Sequence, residues 1–198
     1  MSDKVVQLPI LSYEQIRERA DDFLKAHNPE MKIPVPIEEI AEFSLDINII
    51  PVPGLQKLIG CDGFISSDFS SITVDQFVLE ERETRFRFTI AHEIGHVWLH
   101  QGVFQNFSFD SFDEWKEFQT NVDEKTYGWL EWQAYVFGGL ALVPREHLAS
   151  RRAFHAERVS SAGLSPTTDA AQLQINKALA NDFCVSTAVI EKRVTKDN

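Results

Sequence analysis

The amino-acid sequence predicts an α+β fold that is mainly helical, with a small β-sheet preceding one long, buried helix. Apolar side chains recur at helical spacing between residues 86 and 99, around a His-Glu-x-x-His motif. Three earlier segments, residues 47–52, 59–65 and 72–78, have alternating or continuous apolar side chains and are bounded by Pro, Gly and Ser, which is typical of strands. With 198 residues, 43% of them hydrophobic, the chain is long enough to bury one core and short for two.

The helices are predicted from their end signals. Ser12 can cap a first helix that runs to about His27, with Gln15 at the capping-box position, and residues 36–43 indicate a short second helix. The motif helix begins at Thr84 or a neighbour. A further apolar helix is predicted over residues 127–143, because Pro144 follows it.

The C-terminal part is predicted to be a separate helical unit. Residues 160–168 are rich in Ser, Gly, Pro and Thr, which indicates a linker. Residues 173–194 have the pattern of a helix-turn-helix, with the turn near residues 184–186 and Ser186 as the cap of its second helix. We therefore predict a zincin-like unit over residues 1–159 and a helical pair over residues 160–198 that packs on it.

The motif consists of His92, Glu93 and His96. Residues four apart on a helix are neighbours across one turn, so both imidazoles can face one ion while Glu93 reaches water beside it. A sheet followed by such a helix is the order found in zincin hydrolases. Gly95 inside the helix costs about 1 kcal/mol relative to alanine, which predicts close packing of another element near the metal.

A tetrahedral catalytic zinc needs a third protein ligand and one open position. His100 lies about 12 Å along the helix axis from His92, too far to share an ion, and is expected to support a ligand or to end the helix. Leu99 and Gly102 occupy the glycine and histidine positions of the metzincin extension, which excludes that class. Glu131 can be the third ligand or an exposed first-turn glutamate favoured by the helix dipole, and the residues alone leave both open.

One block of the chain is Arg87-Phe88-Thr89 followed by the motif and Leu99-His100, and a second is Glu131-x-x-Ala134-x-x-Phe137 ending at Pro144. These two blocks resemble the ImmA/IrrE family of bacterial and phage metallopeptidases, a gluzincin-like family. The resemblance extends weakly upstream, so that it covers residues 33–144. It implies that Glu131 completes the metal site with His92 and His96. The chain departs from the family in having Tyr135 where asparagine is usual, and Gly138 and Gly139 where alanines are usual.

The predicted reaction is the hydrolysis of a peptide bond. Zn²⁺ is the expected ion, although a site of two histidines and one glutamate also suits Mn²⁺ or Fe²⁺. Glu93 is expected to act first as general base and then as general acid. An oxyanion donor is also needed, and Tyr127, Tyr135 or His147 could supply it.

The resemblance implies a protein substrate. Many members of the family inactivate a helix-turn-helix repressor of a mobile element or a stress response by cleaving it, which would make this chain a regulator of transcription. No repressor-like module precedes the catalytic segment, so the repressor would be a separate protein. The alternative is a metal-binding regulator or toxin component that acts by binding its partner, such as an antitoxin, without proteolysis.

Composition excludes several other functions. A net charge of −11 and a pI near 5.0 argue against broad affinity for nucleic acid or anionic lipid. Residues 165–198 hold four Lys and Arg against four Asp and Glu, which favours a structural role for the helical pair over DNA binding. The start of the chain does not resemble a signal peptide, and the longest apolar run, residues 135–143, is short for a membrane helix, so we expect a cytoplasmic protein. Cys61 and Cys184 are expected to be reduced structural thiols.

One acidic segment allows two interpretations. Residues 110–125 carry six carboxylates and two lysines among aromatic side chains. The favoured interpretation is a partly buried helix with a solvated acidic face. The second hypothesis is that residues 107–118 form a lid or a docking surface.

Overall fold

The structure is a computed structural model that describes residues 9–104, 114, 116, 117, 120 and 122–197. Residues 107–118 lie mostly outside this part of the chain, so the lid stays a prediction. The described elements are mainly helical with one small sheet, which confirms the predicted fold class. None of the described helices is both long enough and apolar enough to span a bilayer.

The described residues 9–104 form five helices and three strands. The helices are α1 (Tyr13–His27), α2 (Ile37–Glu39), α3 (Leu55–Ile59), α4 (Gln76–Glu81) and α5 (Glu83–Phe104); a π-helical turn, Ile40–Ser44, follows α2. The strands are β1 (Asn48–Val52), β2 (Gly63–Ile65) and β3 (Ser71–Asp75), in the spatial order β1-β3-β2. β1 pairs parallel with β3, and β2 pairs antiparallel with it.

The C-terminal half is helical where the structure describes it. Its helices are α6 (Glu124–Leu142), α7 (Arg145–Ser161), α8 (Asp169–Phe183) and α9 (Thr187–Lys196). Apolar residues of α8 and α9 belong to the same core cluster as those of α1, α5 and the sheet. The division at residues 159 and 160 falls inside α7 and stays a prediction.

Several predicted helix ends are present in the structure. The Ser12 side chain accepts a hydrogen bond from the backbone of Gln15, and the Gln15 side chain completes the capping box. Ser186 caps α9 by accepting from Val189, as predicted. The motif helix begins at Glu83, next to the predicted Thr84.

Other boundaries were wrong. The strand predicted over residues 72–78 ends at Asp75, because this side chain caps α4 by accepting from Phe77 and Val78. The strand predicted over residues 59–65 is limited to β2, since Ile59 ends α3 and Gly60 follows with φ 78°. The sequence analysis also missed α7, which buries only Leu148 and His155 and so lacks an apolar stripe.

Candidate metal centre

Three side chains from two helices converge on one point: His92 and His96 from α5, and Glu131 from α6. The Nε2 atoms of the two histidines lie 3.1 Å apart. The two carboxylate oxygens of Glu131 lie 3.2 Å from Nε2 of His92 and 3.6 Å from Nε2 of His96. Ligand atoms bound about 2.1 Å from a tetrahedral ion are about 3.4 Å from one another. The spacing therefore fits one divalent ion, and among the described residues this is the one cluster of His, Cys, Asp and Glu suited to a metal.

Two glycines bring the backbones of α5 and α6 close together. A Cβ added at Gly95 would lie 3.1 Å from both Cα and the carbonyl oxygen of Ala134. A Cβ added at Gly138 would lie 3.2 Å from the backbone nitrogen of His92. These contacts give Gly95 the packing role predicted for it. They also explain Gly138, since a larger residue there would push α6 away from His92 and the rest of α5.

Glu131 does not lie in the first turn of its helix. Asp123 caps α6, which begins at Glu124, so Glu131 is two turns inside it. The first-turn interpretation of this glutamate is therefore wrong: its carboxylate faces the two imidazoles rather than the end of the helix.

His100 contacts the back of the metal cluster. Its Nδ1 lies 3.1 Å from Nδ1 of His96, and the residue is 1% exposed. The backbone leaves helical geometry at His100, with φ −122° and ψ 15°. If Nε2 of His96 binds an ion, its Nδ1 carries the proton and donates it to His100. This geometry agrees with the supporting role expected for His100.

Glu93 is buried between the sheet and the metal cluster. Its Oε2 accepts a hydrogen bond from the backbone N–H of Ile65 in β2, at 3.0 Å. Burial raises the pKa of Glu93 to about 8, and the charge of Glu131 adds to this shift. His92 and the Ile65 N–H act in the opposite direction without offsetting it. The sheet thus holds a carboxyl group of raised pKa beside the cluster.

Burial also sets the charge of two histidines. It lowers the pKa of His96 well below its ordinary value, and it lowers the pKa of His100 to about 3, with the charge of His92 adding to both shifts. Both imidazoles are therefore neutral near pH 7. The neutral form is the one that can bind a metal ion or accept a hydrogen bond.

The cluster lies in a cleft of about 200 Å³. Tyr127 lines this cleft, whereas Tyr135 and His147 are not among its lining residues. The Tyr135 hydroxyl instead accepts a hydrogen bond from Nζ of Lys192 at 2.8 Å. Of the three oxyanion candidates, the structure thus brings Tyr127 to the cluster.

Two further contributors to the cleft were missed in the sequence. One is the backbone N–H of Ile65, which no residue pattern could identify because the contact depends on where β2 packs. The other is Cys61, which also lines the cleft. Burial raises the pKa of its thiol to about 12, so this free cysteine stays protonated.

Comparison with known proteins identifies one family. The model of the family Peptidase_M78, described as the IrrE N-terminal-like domain, matches residues 78–195, well over half of the chain. The match begins in α4 and ends in α9, so it contains every residue of the metal cluster. No curated protein matches the chain.

Proposed function

Because the chain belongs to the IrrE N-terminal-like family of metallopeptidases, we propose that it is a zinc-dependent endopeptidase. The observation that carries this proposal is the convergence of His92, His96 and Glu131 at ion-binding distances. The cluster fits the ion chemically as well, since two imidazoles and a carboxylate are a common ligand set of catalytic zinc.

The cluster would hold the ion through Nε2 of both histidines and the Glu131 carboxylate. When bound, a divalent ion supplies Lewis-acid chemistry, which polarises a carbonyl group and makes water more acidic. Zn²⁺ is our first choice, while Mn²⁺ and Fe²⁺ remain compatible with these ligands.

Glu93 is the proposed general base. The Ile65 N–H fixes Oε2, which leaves Oε1 of the same carboxylate to take a proton from water. A base is most effective when its pKa lies near the working pH, and burial raises the pKa of Glu93 toward neutrality. The protonated carboxyl group then returns its proton to the leaving amine.

Tyr127 is the proposed donor to the oxyanion. It lines the metal cleft on the same helix as Glu131, four residues or about one helical turn before it. A phenol O–H aimed at the developing negative charge lowers the barrier more than it stabilises the substrate.

The proposed substrate is a separate helix-turn-helix repressor, or an antitoxin, of a mobile element or a stress response. The family supports a protein substrate, and the acidic net charge of the chain disfavours nucleic acid as the direct target. We place the reaction in the cytoplasm, where such a repressor acts.

Co-expression with a candidate helix-turn-helix repressor, followed by intact-mass measurement, tests the proposal. We expect two fragments of the partner with the wild type, and none after Glu93→Gln, after Glu131→Gln or with a chelator. Glu124→Gln is the matched control, since it changes an exposed glutamate of the same helix. Equal cleavage by Glu93→Gln would refute the mechanism. An intact, stable complex with the wild type would favour the non-proteolytic regulator instead.

A further inference from the structure

A second, larger groove opens beside the metal cleft. Its volume is about 540 Å³, within the range of pockets that bind ligands. Four helices form its walls, contributing Tyr13 from α1, Phe88 from α5, Trp132 and Tyr135 from α6, and Ala188 and Lys192 from α9. The walls are mostly apolar, yet Trp132 remains 37% exposed. A soluble protein rarely leaves such a surface open without a ligand for it.

The groove borders the metal cleft. Phe88 lines both, and its ring packs against that of Tyr135 with the centroids 5.0 Å apart. Phe88 precedes His92 by four residues on α5, and Tyr135 follows Glu131 by four on α6. Because α5 and α6 pack antiparallel, the pair of rings lies about 6 Å, one helical turn, from the pair of metal ligands.

Positive charge lies along the wall of the groove that α9 forms. Nζ of Lys192 lies 2.8 Å from the Tyr135 hydroxyl, and Nζ of Lys196 lies 5.9 Å from the centre of the Tyr13 ring. Glu191 also lines the groove, whereas Arg193 is held by Tyr13 and by the carbonyl oxygen of Val143. Two exposed lysines beside one glutamate form a locally cationic surface on a chain of net charge −11.

We propose that this groove is a substrate subsite that takes a bulky apolar side chain followed by an acidic one. An extended peptide advances about 3.3 Å per residue, so the apolar side chain would lie about two residues from the scissile bond. The apolar side chain of the substrate would lie between Phe88 and Trp132. The carboxylate of the next substrate residue would contact Lys192 or Lys196. The inference rests on the proposed function, because the register is counted from the metal.

Peptide hydroxamates test the subsite, since the hydroxamate group anchors on the metal and fixes the register. Each compound carries a Phe-Glu, Ala-Glu or Phe-Lys arm beginning two residues from the hydroxamate, on either its N-terminal or its C-terminal side. Acetohydroxamate, which has no arm, reports on the metal site alone. Calorimetry with the zinc-loaded full chain gives each Kd.

We expect the Phe-Glu arm on one side to bind about tenfold tighter than the Ala-Glu arm, the effect of burying one aromatic side chain. Lys192→Glu combined with Lys196→Glu should change the preference between the Phe-Glu and Phe-Lys arms by about three- to tenfold, as expected of exposed ion pairs. Lys177→Glu, a charge change on an exposed lysine of α8, should leave that preference as it is. Trp132→Ala should reduce the gain from Phe and not the affinity for acetohydroxamate.

The failures of the two proposals are distinguishable. If acetohydroxamate does not bind, the metal site fails and the subsite fails with it. If acetohydroxamate binds while all arms bind alike, the subsite alone is overturned. It is also overturned if light scattering finds a dimer that Trp132→Glu dissociates, because the groove would then hold a second copy of the chain.

Discussion

Among the described residues, two clusters bring histidine and a carboxylate together between neighbouring helices, and they differ in the other partners of the carboxylate. Between α5 and α6, His92 and His96 share the carboxylate of Glu131. Between α7 and α8, His155 contacts Oδ2 of Asp182 at 2.7 Å. In the second cluster Nε of Arg151 also donates to Oδ2 at 2.7 Å. No lysine or arginine among the described residues donates to Glu131.

The difference shows what separates a metal site from a structural contact. A guanidinium that already neutralises a carboxylate removes the charge that would attract a metal ion. The Asp182 cluster is therefore complete, and it joins α7 to α8. The carboxylate of Glu131 has no guanidinium or ammonium partner among the described residues, and the Nε2 atoms of its two histidines face one another, so a divalent cation would complete this cluster.

The sharpest test of this comparison is metal content. Glu131→Gln removes the charged member of the proposed ligand set. Loss of a residue that only hydrogen-bonds to a ligand typically lowers metal affinity by roughly 10–100-fold, and we expect Glu131→Gln to lower it by more than that. Asp182→Asn should leave the metal content unchanged. Elemental analysis after dialysis against a weak chelator measures both. Equal metal content in the wild type and Glu131→Gln would break the assignment of the first cluster.

A smaller loss is expected from His100→Ala. The substitution removes the acceptor for Nδ1 of His96, so the imidazole is no longer held with Nε2 toward the ion. Metal affinity should fall by about 10–100-fold, while the three ligands remain. His147→Ala is the control, because this histidine lies outside the metal cleft. Competition with a chromogenic chelator gives the affinities, and an unchanged value for His100→Ala would make this contact one of packing only.

The metal cluster could be predicted from local patterns, with one exception. The spacing of His92 and His96 follows from a single helical turn, and Gly95 indicated close packing before the partner helix was known. Glu131 could not be derived in the same way. The Asp123 side chain accepts a hydrogen bond from the Thr126 N–H and so starts α6 three residues before the predicted helix, which places Glu131 well inside it. Only the resemblance to a family favoured it.

The contacts between distant segments were beyond sequence reasoning. The Ile65 N–H reaches Glu93 because β2 pairs with β3 and packs on α5, a matter of topology rather than of side-chain type. The Asp182 cluster was missed together with α7, whose two buried residues leave no periodic signal. Local caps such as Ser12 and Ser186 were predictable because each depends on residues three positions away.

Disrupting the Asp182 cluster should change the free energy of unfolding and its dependence on pH, and it should leave the activity unchanged. Burial alone would raise the pKa of Asp182, but the hydrogen bonds from Arg151 and His155 outweigh it and lower the pKa. A carboxyl group with a lowered folded-state pKa stabilises the fold above its unfolded pKa, about 3.9, and this contribution is lost as the pH falls through the folded value. At pH 7, Asp182→Asn should therefore destabilise the protein by about 1–2 kcal/mol.

Chemical denaturation at pH 7 and at pH 3 measures this contribution. The difference in the free energy of unfolding between the wild type and Asp182→Asn should be largest at neutral pH and should become smaller toward pH 3. Asp22→Asn, at an exposed aspartate of α1, should cost little at either pH. A difference that stays constant with pH would mean that Asp182 contributes by packing and not by charge.

The smallest predicted effect concerns the distance between helices, which differs between the pair α5 and α6 and the pair α7 and α8. α5 and α6 touch at glycine, whereas α7 and α8 contain none. Gly95→Ala gains about 1 kcal/mol of helix propensity but forces its methyl group against the backbone of Ala134, and overpacking costs about 1–3 kcal/mol. We expect a net loss of about 1 kcal/mol in the free energy of unfolding and weaker metal binding, since Ala134 lies three residues after Glu131 on the displaced helix.

Gly128→Ala is the control, because no described atom lies within 4 Å of the added Cβ, and it should stabilise the protein. Denaturation midpoints and zinc affinities of both variants decide the matter: two stabilised proteins with unchanged zinc affinity would mean that the close approach of α5 and α6 does not position the ligands.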